Sequence, residues 1–281
     1  MITRVLALLA LAMWCRIGHA DGLPDYVRFA EDKSSARLEV AIKTLTMPSG
    51  QKVDLIGVVH IADDSYYQRL NDRFTAYDSV LFELIGDPRS LTERAGDSSR
   101  PGAVSFLQQS AGKHLNLTFQ LDAIDYTAKN MVHADTTADE FARMQHERGE
   151  NFVTLFARAM QAQLSGGMNR AAMREFDTFG LFRILMSPDS SAAFKKSLAK
   201  VFDEMESMTA LMEGKDGSVV LSGRNAVVVR KLEEVLARKK QRHVAVFYGG
   251  AHMPGIEVAL VKDMGAKVSG EEWLAAWTML R

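Results

Sequence analysis

The chain has 281 residues, 47% of them hydrophobic and 25% charged, enough for a sizeable core in one or two domains. Its formal net charge is -1 and no long basic block occurs, so a nucleic-acid partner, which needs clustered Lys and Arg, is not expected. Cys15 is the single cysteine, which excludes a disulfide framework within the chain.

The N-terminus reads as an export signal. Arg4 gives a positive start, residues 5–15 (VLALLALAMWC) form an apolar core, and residues 18–20 (GHA) offer small side chains for cleavage. The apolar run is short of the roughly 20 residues that span a bilayer, and bulky Trp14 before Cys15 speaks against lipid attachment. Cleavage after Ala20 removes Arg4, Arg16 and Cys15, leaving a formal charge of -3 and no thiolate for catalysis or metal binding. No later segment is apolar enough to cross a membrane. The expected product is exported, periplasmic or secreted.

Residues 21–36 read as a loose leader. Residues 36–47 (ARLEVAIKTLTM) alternate, 48–51 (PSGQ) signal a turn, and 52–59 (KVDLIGVV) follow, which is a hairpin pattern. Apolar residues at helical spacing return over 63–77, where Asp63 or Asp64 can cap, and 79–84 (SVLFEL) read as a buried strand. Strand, helix and strand within about 30 residues predict a right-handed crossover and parallel strands. His60 and Glu83 then share the strand-end edge where open α/β sheets place ligands.

Residues 116–126 (NLTFQLDAIDY) look strand-like, and a helix is expected to open within 130–144, with Thr137 and Glu140 as a capping box. From about 137 to 212 the pattern is helical and rich in Met, which predicts a helical insert or cap. Residues 224–240 read as an amphipathic helix, 243–248 (HVAVFY) as a strand, 253–265 as a helix ended by Gly265, and 266–268 as the start of another strand. The predicted fold is a single α/β domain over 21–281, with a mixed central sheet built from two related strand-loop-helix units.

Those two units carry the same motif, Gly-x-x-His, at Gly57–His60 and Gly249–His252. Gly57 and Gly249 permit close approach of a ligand. A lone histidine is usually structural. Two in matching loops, with a glutamate on a neighbouring strand end, suit Zn, Mn, Fe or Co with positions left for water or substrate. Glu83 reads equally well as a solvent-facing strand end or as an inward ligand or base. Asn225 reads most simply as an N-cap, the alternative being that Arg224 reaches in to hold a carboxylate or oxyanion. His133 and Asp135 read as local loop and cap residues, and His114, His146 and His243 as surface residues. No Walker loop, G-x-G-x-x-G, HExxH or G-x-S-x-G occurs.

The series GVVH (57–60), LFEL (81–84), GRN (223–225) and YGGAHMPGI (248–256) resembles, in order and rough spacing, the Tiki/TraB/GumN family across about residues 37–270. The resemblance implies a two-repeat α/β core with a helical insert. It implies a metal-dependent protease with manganese, cobalt or zinc, in which His60, Glu83 and His252 form the metal and catalytic cluster. Arg224 and Asn225 are implied to line the site. Related groups bind haem or hydrolyse esters, so architecture alone does not fix the chemistry.

Three functions therefore follow from the sequence. The first is a metal-dependent hydrolase acting on a peptide or small molecule. The second is a metal-free hydrolase using a histidine and Glu83. The third is a binding protein for haem or a peptide. If Glu83 is the base rather than a ligand, Asp135 or Asp125 is needed as a third metal ligand.

Overall fold

The computed structural model describes residues 25–89, 117–150 and 217–280, together with 154, 195, 196 and 199. The leader over 1–20 and most of the helical segment expected beyond residue 150 lie outside the described residues. The fold is α/β, with one mixed sheet of seven strands and helices on both faces.

The hairpin expected around residues 48–51 is present. Strand β2 (Ser35–Thr46) and strand β3 (Lys52–Val58) pair antiparallel, with Ile42 opposite Ile56 and Thr46 opposite Lys52. Strand β1 (Val27–Glu31) precedes them and pairs antiparallel with β2, where a loose leader is expected from sequence. Tyr26, Val27 and Phe29 explain the difference: Tyr26 is fully buried, and Phe29 packs against the core.

After β3 the chain makes a two-residue strand β4 (Ile61–Ala62) and helix α1 (Asp64–Phe74), which buries Tyr66, Tyr67, Leu70 and Phe74. Strand β5 (Ser79–Phe82) is fully buried. The stretch read as a strand over 116–126 is mostly something else. Only β6 (Thr118–Phe119) is extended, pairing antiparallel with β4, and a single helical turn α2 (Gln120–Ala123) follows. Strand β7 (Met131–His133) precedes helix α3 (Ala138–Arg148). The α3 capping box forms: Glu140 N donates to Thr137 Oγ1 at 3.2 Å and Thr137 N donates to Glu140 Oε2 at 2.9 Å.

A π-helical turn (Val219–Gly223) leads directly into helix α4 (Arg224–Leu236), then come strand β8 (His243–Gly249), a short 3-10 turn (Gly250–His252) and helix α5 (Met253–Lys262). Gly265, at φ 69°, lets Ala266 N donate back to Leu260 O at 3.0 Å and closes α5 as expected. Strand β9 (Lys267–Leu280) is far longer than the start seen at 266–268 and runs antiparallel to β2.

The strand order is β1-β2-β3-β8-β5-β7, with β9 on the other side of β2. Strands β3, β8, β5 and β7 are parallel. The crossover expected through α1 is present, but β8 sits between its two strands. Successive side chains of these strands point to opposite faces. Ile56, Val58, Val80, Phe82 and Phe247 join α1 in one core, while Leu55, Leu81, Val246 and Tyr248 join Val228, Leu232, Ile256 and Leu260 of α4 and α5 in the other. That is why β3, β5 and β8 read as continuous apolar runs rather than alternating ones. Among the described residues no helix is long and apolar enough to cross a membrane.

Candidate active site

Four adjacent parallel strands deliver four polar side chains to one edge of the sheet. His60 follows β3, His252 follows β8, Glu83 follows β5 and Asp135 follows β7. A crevice beyond the carboxyl ends of parallel strands is the usual ligand position in such sheets. Gly249 stands at the centre. A methyl carbon placed on it would lie 3.3 Å from Glu83 Oε2, 3.7 Å from His60 Nε2 and 3.8 Å from His252 Cδ2. The three side chains expected to form a cluster therefore converge.

Glu83 turns inward, which resolves the two alternatives left by the sequence. Its Oε2 accepts from Gly249 N at 2.7 Å and its Oε1 accepts from Arg224 Nη2 at 2.6 Å. Burial raises the Glu83 carboxyl, but the His252 ring, the Arg224 guanidinium and the Gly249 N–H together outweigh it and hold the carboxyl below the ordinary glutamate range.

Arg224 is 5% exposed and lies under the site. Its Nε donates to Asp135 Oδ1 at 2.9 Å, its Nη2 also bonds Asp135 Oδ2, and its Nη1 donates to His252 Nε2 at 3.2 Å. Burial opposes the Arg224 charge, and the bonds to Asp135 and Glu83 more than offset that, so the guanidinium is held more firmly protonated than usual. Two carboxylates against one guanidinium leave one excess negative charge in a buried cluster. Asp135, read from sequence as a local cap, is thus the main anchor of Arg224.

Asn225 is not the N-cap. Helix α4 has begun before it, Gly223 holds the cap position, and no side chain caps there. Instead Asn225 Nδ2 donates to His252 O at 3.3 Å, which leaves Oδ1 to accept from His252 Nδ1 at 2.7 Å. In the neutral ring the Nε2 lone pair then faces the cluster. Gly255 makes room for this amide, since a Cβ there would lie 2.5 Å from Asn225 Nδ2.

His60 is exposed, in contrast to His252 at 5%. Its Nδ1 lies 2.8 Å from Gln120 Oε1 and its carbonyl accepts from Gln120 N at 2.9 Å. Gln120 Nε2 in turn donates to Tyr126 Oη at 2.8 Å. Sequence reasoning missed Gln120 and Tyr126 because residues 116–126 look like one strand and carry no motif. It undervalued Asp135 because β7 was not recognised as a strand whose end lies beside that of β5.

Other candidates lie elsewhere. Gly57 is inside the sheet packing, where a Cβ would stand 2.8 Å from Val40 Cγ1, so its role is close strand packing rather than substrate contact. His133 Nε2 bonds the Leu84 carbonyl at 2.7 Å. Asp125 is exposed and accepts from Thr127 N and Oγ1. His243 is not a plain surface residue: its ring packs edge-on against Tyr77 and its Nε2 lies 3.2 Å from Asp54 Oδ2.

The fit to a divalent metal can be tested on these atoms. Both imidazoles are suitable donors, but His252 Nε2 and Glu83 Oε1 are turned to the Arg224 guanidinium, a cation already in place. Among the described residues no group of three or more histidine, aspartate and glutamate side chains is arranged to hold a metal ion. As the side chains stand, His252 Nε2 and Glu83 Oε1 are engaged by Arg224, and an ion shared with His60 would need that contact to open.

No protein-family model matches the chain, and no curated protein matches it.

Proposed function

We propose that the chain is a hydrolase acting on an ester or amide carbonyl through His60, Glu83 and His252, without a metal in the catalytic step. The observation that carries this reading is the convergence of His60 Nε2, Glu83 Oε2 and the His252 ring within 4 Å of one point over Gly249. His60 is the exposed member, with its Nδ1 tied back, so its Nε2 is the base that takes a proton from water. The water oxygen bonds to the carbonyl carbon, and the bond to the leaving oxygen or nitrogen breaks.

The proton taken by His60 Nε2 then passes to that leaving atom, while His252, whose Nε2 faces Arg224 and Glu83, holds the cluster beside it. Its Nε2 has two partners, Arg224 when bare and Glu83 Oε1, 3.5 Å away, when protonated. Arg224, which the resemblance implies as a lining residue, acts by holding Glu83 and Asp135 rather than by meeting the oxyanion. The ordered motifs support membership of the Tiki/TraB/GumN family, and the leader led by Arg4 supports export.

The second reading is the metal-dependent peptidase. One observation favours it: both histidines have their Nδ1 tied to a side-chain amide, as metal-binding histidines commonly do. In that case His60, Glu83 and His252 would hold the ion, Arg224 would have to leave His252 Nε2, and the ion would supply a Lewis acid.

The test is hydrolysis of nitrophenyl esters and fluorogenic peptides by the untagged protein, before and after exhaustive chelation. Turnover should survive chelation, and His60→Ala should lower kcat/KM by about 100-fold or more. Turnover that vanishes on chelation and returns with Mn, Co or Zn would establish the second reading instead. A His60→Ala variant with near wild-type turnover would overturn both.

A further inference from the structure

We infer that Gln120 is a positioning residue for His60, fixing which ring nitrogen carries the proton, with Tyr126 fixing Gln120 in turn. This rests on the reading of His60 as the catalytic base. Three observations carry it. Gln120 is 3% exposed although its neighbour Leu121 is 43% exposed, so a polar side chain is buried here in preference to an apolar one. Gln120 grips His60 twice, its backbone N–H on the His60 carbonyl and its Oε1 on the ring Nδ1. Its remaining polar group donates to Tyr126 Oη, so the amide is held at both ends.

Tyr126 ties this clasp to the rest of the site. Its ring packs at a tilt against Phe82, the residue before Glu83, with the ring centroids 5.0 Å apart. Its hydroxyl oxygen accepts from the Gln120 amide. With Oε1 facing the ring, His60 is protonated on Nδ1 and bare on Nε2. Nε2 is the atom directed to the point over Gly249. Without the clasp the neutral ring would divide between two tautomers, and only one presents a lone pair to water. The clasp reproduces on β6 and α2 what Asn225 does for His252 from α4. Each histidine is thus oriented by an amide from an element that its own strand-loop-helix unit does not contain.

The test separates this inference from the hydrolase reading because its main readout needs no substrate. The full chain, labelled with 15N at histidine, is titrated while the ring nitrogens of His60 are followed by NMR, with His60→Ala giving the assignment. The wild type should show neutral His60 protonated on Nδ1 alone. Gln120→Ala should give a tautomer mixture, and kcat should fall about 10- to 100-fold, the range seen when groups that orient histidine ligands are removed. Gln120→Glu restores the acceptor as a charge. It should restore the Nδ1–H tautomer, raise the His60 pKa, and move the acid limb of the pH–rate profile to higher pH. A purely structural Gln120 would change melting temperature in these variants without changing tautomer or titration. A wild-type His60 protonated on Nε2, or the same tautomer in Gln120→Ala, would overturn the inference. If the tautomer behaves as stated but no ester or amide is hydrolysed, the inference stands and the hydrolase reading fails.

Discussion

Replacing Arg224 by methionine keeps much of the side-chain volume and removes the charge. In the folded protein it strands Asp135, 8% exposed, and the largely buried Glu83 carboxylate, both of which lose hydrogen bonds to the guanidinium. Breaking a buried pair by removing one partner costs about 3–5 kcal/mol. A second estimate comes from protonation. A stranded aspartate can take up a proton at pH 7, about three units above its ordinary pKa, which costs about 4 kcal/mol at about 1.36 kcal/mol per unit. The two figures agree, so Arg224→Met should lower unfolding free energy by about 3–5 kcal/mol at pH 7. Urea denaturation followed by circular dichroism measures it.

The pH dependence gives an independent check. Glu83 has a depressed folded-state pKa, so its contribution is present above the unfolded value, about 4.3, and is lost as pH falls through the folded one. The wild type should therefore lose this contribution on acidification. The variant's stranded aspartate, protonated when folded, costs about 1.36 kcal/mol less for each unit that pH falls from 7 towards 4, and the wild type loses the Glu83 contribution below that, so the gap between the two narrows steadily on acidification. A gap under about 1 kcal/mol at pH 7, or one that widens in acid, would refute the reasoning.

Gly255→Ala should displace the Asn225 amide and cost about 1–3 kcal/mol, with a changed His252 ring environment visible by NMR. Gly250→Ala puts a Cβ 2.6 Å from Val27 Cγ2 and should cost a similar amount, and the added change Val27→Ala should recover part of it in thermal melts. Thr137→Ala removes the acceptor of the α3 capping box, so about 1 kcal/mol of stability should be lost in chemical denaturation. Trp277→Ala deletes a fully buried side chain whose Nε1 bonds the Ile61 carbonyl at 2.6 Å, beside His60. A loss of about 3–5 kcal/mol is expected in the same assay.

The parallel core was legible because its strands are buried on both faces. Val53, Leu55, Val80, Leu81 and Val244–Phe247 leave continuous apolar runs, and the helices that cover them keep a helical period. The pairing of His60 with His252 and Glu83 was legible because strand ends in a parallel sheet share an edge. What escaped was of two kinds. Strands β1 and β9 lie at the antiparallel side, where half-exposed side chains such as Phe29 and Trp273 blur the period. The partners of the histidines escaped because a hydrogen bond between residues 60 apart, as His60 and Gln120 are, leaves no local pattern. The N-cap reading of Asn225 fits a local rule. A tertiary contact to His252, made possible by Gly255, overrides it.

The position of β8 has a consequence for how the chain is made. Strands β3 and β5 belong to the first third of the sequence, yet neither pairs with the other, and each waits for a strand that begins at residue 243. A nascent chain that has emerged only to α3 has two apolar strands with no central partner between them. Closure of the sheet over so long a loop makes folding slow compared with chains built from local contacts. It also means that any truncation before β8 removes the sheet's centre and His252 together, so no partly made chain carries the full cluster. In the interval before closure, β3 and β5 each have one edge without its partner strand.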